Sequence, residues 1–544
     1  MSESEIGFPS VLLIGPYDPH CGEYTFLAPP LGVWRLAGVL RSHGVRTEVF
    51  DPNCCSGTPQ STLERLLRED AWDVIGVSTT GMTLRFDLEL AHLARRIAPS
   101  ALIVAGGMEA TFNPELMFEL GPFDRVVLGE GERPLLELVA RLRAGQPLGG
   151  IAGTAERVAA GQVLRLPQRA LSREELRDAI FSTPYERMPY ESYWQRLEEA
   201  YRIGALPTKA AREARLAEIR SVRLITLNYC PMGCTFCSST NFLHAAQGSV
   251  ASVARLDPGE CLAMIRGIVD AHPLVRTIIF QDDIFVFTKD RRVLPLCEAI
   301  VKAKERSEIP TQLQFISTNR IDAMTVERLA AMRRAGFRVL GFGVESFSAG
   351  TLAEFNKGQI HRHIAPMLEA ALGLGITPFL DLILASPRGS LEDLAETLRQ
   401  AFGWLKRGCE IGMYPYVIPF AGAALARDPQ LLGHTTRARR KVGGTAIEWQ
   451  QAAKILPLDP RVRETILEIE RRFEGQLAGL ERRSAHLPSR VRSLVWILSS
   501  LPVMAAHGLP IASDSELRKE LRARLPQQRK LRSAMAGHPA VACA

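Results

Sequence analysis

Through the first 150 residues, short unbroken apolar runs alternate with stretches whose apolar positions recur at helical spacing. Residues 11–15, 74–78, 102–105 and 126–128 are continuous runs, the pattern of strands buried on both faces of a parallel sheet. Residues 45–51 alternate apolar with polar and add a fifth strand. Between them, residues 30–43 place Val33, Leu36, Ala37 and Leu40 on one helical face, with Gly44 as the stop. Residues 62–69, 85–97 and 114–120 also read as helices. This alternation predicts a doubly wound, Rossmann-like α/β domain over residues 1–150. In such a sheet a ligand lies beyond the carboxyl ends of the strands. The loops there hold Tyr17-Asp18-Pro19-His20, Ser78-Thr79-Thr80-Gly81, Gly106-Gly107 and Gly129-Glu130-Gly131-Glu132. Their glycines let a bulky ligand approach the backbone.

Residues 151–220 read as a connector. Residues 159–162 suggest a hairpin, 188–194 (MPYESYW) are aromatic-rich, and 209–219 are charged and helical. From residue 223 the alternation resumes with longer units. Strands are expected at 224–227, 277–280, 312–316, 339–343, 378–384 and 413–418, with helices at 259–269, 293–304, 326–335 and 390–405. Six such units predict a partial (β/α)6 barrel over residues 221–425, with its chemistry at the C-terminal strand ends. Residues 426–544 read as mainly helical: a long charged helix at 461–480, an apolar segment at 493–506 containing Pro502, and a basic tail.

At 544 residues the chain exceeds what one core holds, and its 46% hydrophobic and 23% charged content is that of a globular protein. The formal charge of +7 is mild, and no basic face with interleaved aromatics argues for nucleic acid. The apolar segment at 493–506 falls short of the roughly twenty residues that span a bilayer, so burial is expected and no membrane span. The opening MSESEIGFPS has neither the basic nor the apolar part of a secretory leader. Ten cysteines, three of them in a ligand pattern, suit a reducing cytoplasm better than a disulfide framework.

The three are Cys230, Cys234 and Cys237, in C-x3-C-x2-C spacing inside NYCPMGCTFCSST, directly after the apolar run 222–227. Pro231 and Gly233 make the stretch a loop, able to turn three thiolates toward one point. Thiolates are soft ligands that select iron–sulfur clusters, zinc or copper(I). A structural zinc takes four protein ligands, and the loop supplies no fourth Cys or His; His244 lies seven residues past Cys237. A four-iron cubane held by three thiolates keeps one iron open for a further ligand.

The loop resembles the signature of the radical SAM enzymes, C-x3-C-x2-C with an aromatic before the last cysteine, here Phe236. That resemblance implies a [4Fe-4S] cluster on Cys230, Cys234 and Cys237, with S-adenosylmethionine (SAM) on the open iron, cleaved reductively to a 5′-deoxyadenosyl radical. Phe236 then belongs to the SAM site, and an external electron donor such as flavodoxin or ferredoxin is implied. Gln281-Asp282-Asp283, after the second barrel strand, matches the family segment that holds the amino group of SAM. Ser317-Thr318-Asn319-Arg320, after the third, offers ribose and carboxylate contacts through Ser317 and Arg320. Gly343-Val344-Glu345-Ser346, after the fourth, resembles the family's G-x-E-S element, with Glu345 a SAM contact. No residue beyond the cluster loop is marked as catalytic.

Residues 8–145 resemble the cobalamin-binding domain fused ahead of many radical SAM enzymes, including the helix start Pro29-Pro30-Leu31-Gly32. By that resemblance Ser78 and Thr80 lie near the nucleotide tail of cobalamin, Gly106 and Gly107 line its channel, and Gly129, Glu130 and Gly131 border the ligand. The D-x-H-x-x-G motif whose His ligates cobalt is absent. Asp18-Pro19-His20-Cys21-Gly22 is one residue too short, and a lower face without a His ligand is expected. The resemblance implies a methyltransferase that moves a methyl group from SAM, through methylcobalamin, to a carbon of a small-molecule or natural-product substrate seated between the two domains. Two other readings stay open: an oxidative cyclase or rearranging enzyme with the same cofactors and no net methyl transfer, and a non-catalytic cobalamin or redox sensor. The intact cysteine triad and the polar strand ends argue against the sensor.

Overall fold

The computed structural model describes residues 9–19, 28–158, 161–248, 252–437, 439–442, 445–448, 453–481 and 489–524. Met1–Thr318, Ala330–Arg338 and Ile418–Lys454 make up one compact unit; Asn319–Leu329, Val339–Val417 and Ile455–Ala544 make up a second.

In the first unit, β1 (Val11–Ile14), β2 (Thr47–Phe50), β3 (Val74–Ser78), β4 (Leu102–Gly106) and β5 (Arg125–Val127) run parallel in the order β2-β1-β3-β4-β5. Order reverses between β1 and β3, which makes their carboxyl ends the switch point. Successive strand residues point to opposite faces, and each set feeds its own core. Val11, Leu13, Val74 and Val104 pack with Val33, Leu40, Leu135 and Leu138 of the helices Leu31–Ser42 and Glu132–Arg143. Leu12, Ile14, Ile75 and Ile103 pack with Leu63, Leu67, Leu88 and Ala91 of Pro59–Glu69 and Leu84–Ile97. Burial on both faces is why these strands are continuous apolar runs.

The sheet is wider than the five strands expected. β6 (Thr154–Arg157) and β7 (Val163–Leu166) form the anticipated hairpin, and it adds antiparallel to the edge at β5. Ala159 and Ala160 of that hairpin lie outside the described residues. Within the two strands Thr154 and Ala155 are the buried positions, so the hairpin carries little of the apolar signal that marks a sheet strand.

β8 (Ser221–Leu224), β9 (Thr277–Phe280) and β10 (Gln314–Asn319) follow one another chiefly in the first unit, and β11 (Phe337–Glu345), β12 (Thr377–Ala385) and β13 (Glu410–Tyr416) chiefly in the second. β8–β9, β9–β10, β11–β12 and β12–β13 pair in parallel. Helices such as Pro258–Ala271, Val293–Glu305, Ile364–Gly373 and Leu391–Arg407 intervene, the succession of a partial (β/α)6 barrel.

Among the strand limits that differ from expectation, two bear on the site. β8 ends at Leu224 instead of residue 227, because Thr226 turns its N–H and hydroxyl to Asp282 while Leu227 forms an isolated antiparallel bridge to Arg255. β10 runs on to Asn319, so Ser317 stands inside the ladder opposite Phe280. In the second unit Ser489–Ala506 is one helix containing Pro502, and it buries Leu494, Val495, Ile497 and Met504. It packs on Pro460–Glu481 with the rings of Phe473 and Trp496 stacked at 3.9 Å. No described helix is long and apolar enough to cross a membrane.

Candidate functional site

Past β8 the chain enters the cysteine loop, where Cys230 and Cys234 are buried and Cys237 is half-buried. Reciprocal bonds between Asn228 and Ala254, at 3.1 and 2.9 Å, hold its start. Further along, the Thr235 carbonyl accepts from the Leu425 N–H at 2.9 Å, and Asn241 Nδ2 donates to the Gly422 carbonyl at 2.8 Å. Burial, with Asp283 and the other two thiols adding their charge, pushes the Cys230 thiol up to about 12; burial raises Cys237 as well. Three neighbouring thiolates repel one another, so a bound cation must hold them ionised. Among the described residues no group of three His, Cys, Asp or Glu could hold a single metal ion. The thiolates of a cubane sit on three different irons and need not converge that far. A soft three-thiolate set on one loop fits such a cluster.

The adjacent carboxylates after β9 have separate fates. Asp282 is buried, and its two oxygens accept from the Thr226 N–H at 2.6 Å and the Thr226 hydroxyl at 2.5 Å. Arg292, 3.9 Å away, donates to the same hydroxyl at 2.8 Å and lies over the Phe285 ring. Burial pushes the Asp282 carboxyl up to about 6, with Arg292 pulling the other way. Asp283 is exposed to solvent yet sits deep among protein atoms, which raises its carboxyl. It accepts from the Ser239 hydroxyl at 3.3 Å. Ser317, predicted beside them, is buried.

In the second unit, Arg320 forks onto Asp322 at 2.9 and 2.8 Å and donates to the Lys357 carbonyl at 2.8 Å. Glu345 has φ of 64°, left-handed backbone rarely adopted by a residue with a side chain and common at functional sites. A β-bulge lies between Gly343 and Glu345, and the carboxylate pairs with Lys357 Nζ at 3.0 Å. Burial and the Glu345 charge push Asp381 of β12 up to about 7, and burial pushes Tyr414 of β13 to about 12. Lys357, Asp381 and Tyr414 were missed by sequence reasoning; the one signal was Asp381, a charge interrupting the apolar run 378–384.

At the carboxyl ends of β1, β3, β4 and β5 lies a cavity of about 430 Å³. Ser78, Gly106, Gly107, Gly129, Glu130 and Gly131 all border it, and so do Asn228, Asp282 and Asp283. A second cavity of about 460 Å³ shares Pro16, Pro30, Leu31 and Gln281 with the first and is bordered by Met82, Met108 and Phe112. Thr80 borders the second cavity and not the first, because its hydroxyl is turned to that of Thr83 at 2.9 Å. Gly107 has φ of 97°, and a Cβ there would stand 2.5 Å from the Thr79 carbonyl, so glycine is required. At Gly106 the nearest atom to such a Cβ is 4.0 Å away, leaving room for a ligand. Aliphatic walls with a glycine-lined entrance fit the nucleotide tail of cobalamin.

The loops flanking the switch point are tied by a residue that sequence reasoning missed. Asp87, fully buried, accepts from the Tyr17 N–H at 2.9 Å, the Thr80 N–H at 3.3 Å and the Thr83 hydroxyl at 2.6 Å. Its place within the helix Leu84–Ile97 gives no local signal of that role. His20 lies outside the described residues.

Residues 19–139 match the B12 binding domain, and residues 224–401 match the radical SAM superfamily. The chain joins a B12-binding domain to a radical SAM domain, the pairing found in cobalamin-dependent radical SAM enzymes, whose cofactors are cobalamin, SAM and a [4Fe-4S] cluster. An uncharacterized methyltransferase of Pyrococcus horikoshii is 25% identical over 404 residues, covering 73% of this chain and 77% of that protein. The anaerobic magnesium-protoporphyrin IX monomethyl ester cyclase of Rubrivivax gelatinosus is 22% identical over 400 residues, 72% of this chain and 66% of the cyclase. The radical SAM methyltransferase TsrM from Kitasatospora setae, solved with tryptophan substrate and a SAM analogue, superposes with a TM-score of 0.67 over 97% of this chain and all of that one, at 14% identity. The cobalamin-dependent radical enzyme OxsB, solved with aqua-cobalamin and SAM, gives 0.63 over 98% and 81% at 16% identity. At such identities the structural likeness is one of fold.

Proposed function

We propose that the chain is a methyltransferase moving a methyl group from SAM, by way of cobalamin, to a carbon of a small-molecule substrate. The observation that carries this is a shared cavity in the first unit. Ser78, Gly106 and Gly107 of the B12-binding segment border the same space as Asn228 of the cysteine loop and Asp283. When bound, the cofactors supply methyl carriage and reductive cleavage of SAM, and the chain holds and orients them. In this reading Cys230, Cys234 and Cys237 each ligate an iron, and Phe236 packs against SAM. Asp283 accepts from the amino group of SAM, while Asp282 holds the strand end. Ser317, Arg320 and Glu345 stand as further SAM contacts on the family resemblance. Ser78, Gly106, Gly107, Gly129, Glu130 and Gly131 line the cobalamin tail; Thr80 shapes the adjoining cavity. Residues 1–150 are the cobalamin-binding part, 151–220 the connector, 221–425 the radical SAM core and 426–544 the region that shapes the substrate pocket. A flavodoxin or ferredoxin supplies the electrons.

The cyclase of Rubrivivax gelatinosus, matched over a similar length, favours a second reading with the same cofactors and no net methyl transfer. Anaerobic reconstitution followed by mass spectrometry separates the two. A substrate gain of about fourteen daltons, with S-adenosylhomocysteine formed, is the expected result. A product lacking that gain supports cyclisation or rearrangement, and failure to cleave SAM under strong reductant leaves a sensor.

A further inference from the structure

We infer that Glu130 reads the base of the cobalamin nucleotide tail, presenting a carboxyl proton to the ring nitrogen that the base frees when it leaves cobalt. The inference rests on the reading that this cavity holds the tail. The inner walls are aliphatic: Leu13 of β1, Val104 of β4, Val127 of β5, and Leu36 and Leu135 from the two covering helices. Such walls suit a flat dimethylbenzimidazole. One of its ring nitrogens carries the ribose, and the other is an acceptor with no hydrogen, so a buried base needs one donor from the protein.

Two charged side chains reach the same cavity away from the cysteine loop, Arg35 and Glu130. Arg35 is ion-paired with Glu132, Nε to Oε1 at 2.6 Å. Glu130 is 8% exposed, and its Oε2 accepts from the Leu171 N–H at 2.6 Å. Its Oε1 has no hydrogen-bond partner among the described residues. A carboxylate only accepts, whereas a carboxylic acid donates one bond and still accepts from Leu171. Burial, with the Glu132 charge added, pushes the Glu130 carboxyl up to about 7. The charged groups facing it are Glu132 and Arg133 on its own segment, Arg35 from the helix Leu31–Ser42, and Arg169 from the segment before Leu171. The Leu171 N–H, Arg35 and Arg133 pull the carboxyl down, and burial outweighs them.

The test uses the full chain loaded with its cluster and measures binding of cobalamin and of cobinamide, the same corrin without the nucleotide tail, from about pH 6.5 to about 9. Because the protonated carboxyl is the better binding form, cobalamin affinity should be level below about pH 7 and fall above it by at least the roughly five- to ten-fold that losing the donor costs. Cobinamide affinity should stay level throughout. Glu130→Gln keeps a donor for the base and an acceptor for Leu171, so its cobalamin affinity should lose the pH dependence. Glu130→Ala should bind cobalamin about five- to ten-fold more weakly at pH about 6.5, with cobinamide unchanged. A level wild-type profile for cobalamin, or an alanine variant that weakens both ligands equally, overturns the inference. Should the alanine variant fail to fold, as judged by its iron content, the wild-type and glutamine profiles decide. Failure of the underlying reading looks different: cobalamin and cobinamide would bind wild type equally, and Gly106→Leu would weaken neither.

Discussion

The N–H and the hydroxyl of Thr226 both close on the carboxylate of Asp282, one on each oxygen. With Arg292 beside it, Asp282 serves the fold, and its neighbour Asp283 is left to meet a ligand.

Asp283→Ala should therefore keep its cluster and its melting temperature while SAM binds about ten- to a hundred-fold more weakly, the loss of one charge-assisted hydrogen bond of about 1.5–3 kcal/mol. Asp282→Ala should instead cost about 3 kcal/mol of stability, because it removes the counter-charge of a buried guanidinium and the acceptor of both Thr226 donors. Calorimetric titration with SAM and thermal melts separate the two effects. Undiminished SAM affinity in Asp283→Ala would mean that the amino group is held elsewhere.

Replacing Cys230, Cys234 and Cys237 together by Ala should abolish both cluster iron and SAM cleavage, measured by iron and sulfide analysis after anaerobic reconstitution. Adjacent half-buried Cys54 and Cys55, just after β2, are the thiols best placed to retain adventitious iron. Full iron content in the triple variant would overturn the assignment.

Gly106→Leu should project a side chain into the open cavity, lowering bound cobalamin with iron unchanged. Gly107→Ala should act on stability instead, by about 1–3 kcal/mol, since its Cβ meets the Thr79 carbonyl on left-handed backbone. Cobalamin content by absorbance, beside a thermal melt, distinguishes a blocked cavity from a strained turn.

Asp87→Asn should loosen two loops at once. Three donors point at that carboxylate, and an amide offers one acceptor oxygen and turns its own N–H groups toward the rest. A loss of about 2 kcal/mol is expected, together with faster hydrogen exchange at the Tyr17 and Thr80 amides and weaker cobalamin binding. Unchanged exchange at both amides would show that the carboxylate is not the tie.

Local chemistry was the readable part of the chain. The cysteine spacing, with Pro231 and Gly233 between the thiols, declares a loop by itself, because all the residues that matter lie within eight positions of one another. The strands of the first sheet were equally plain, since burial on both faces demands unbroken apolar runs. The β6–β7 hairpin was legible as a hairpin but not as part of the sheet: its pairing with β5 is made by Val126 and Val127, far back in the chain, and leaves most of its side chains outside the core.

Partners at long range decided the rest. Nothing in the dipeptide Asp282-Asp283 says which carboxylate turns inward; Thr226, 56 residues earlier, does. The hydroxyl of Thr80 is taken by Thr83, which itself answers to Asp87, so Ser78 reaches the first cavity and Thr80 does not. Glu345, beside a bulge in β11, meets Lys357, twelve residues on. The sequence determined which groups stand at the strand ends, since strand periodicity and loop spacing are local. Which of those groups remain open to a ligand was decided by the tertiary structure, because a buried polar group must find a partner and the nearest one is rarely its neighbour in the chain.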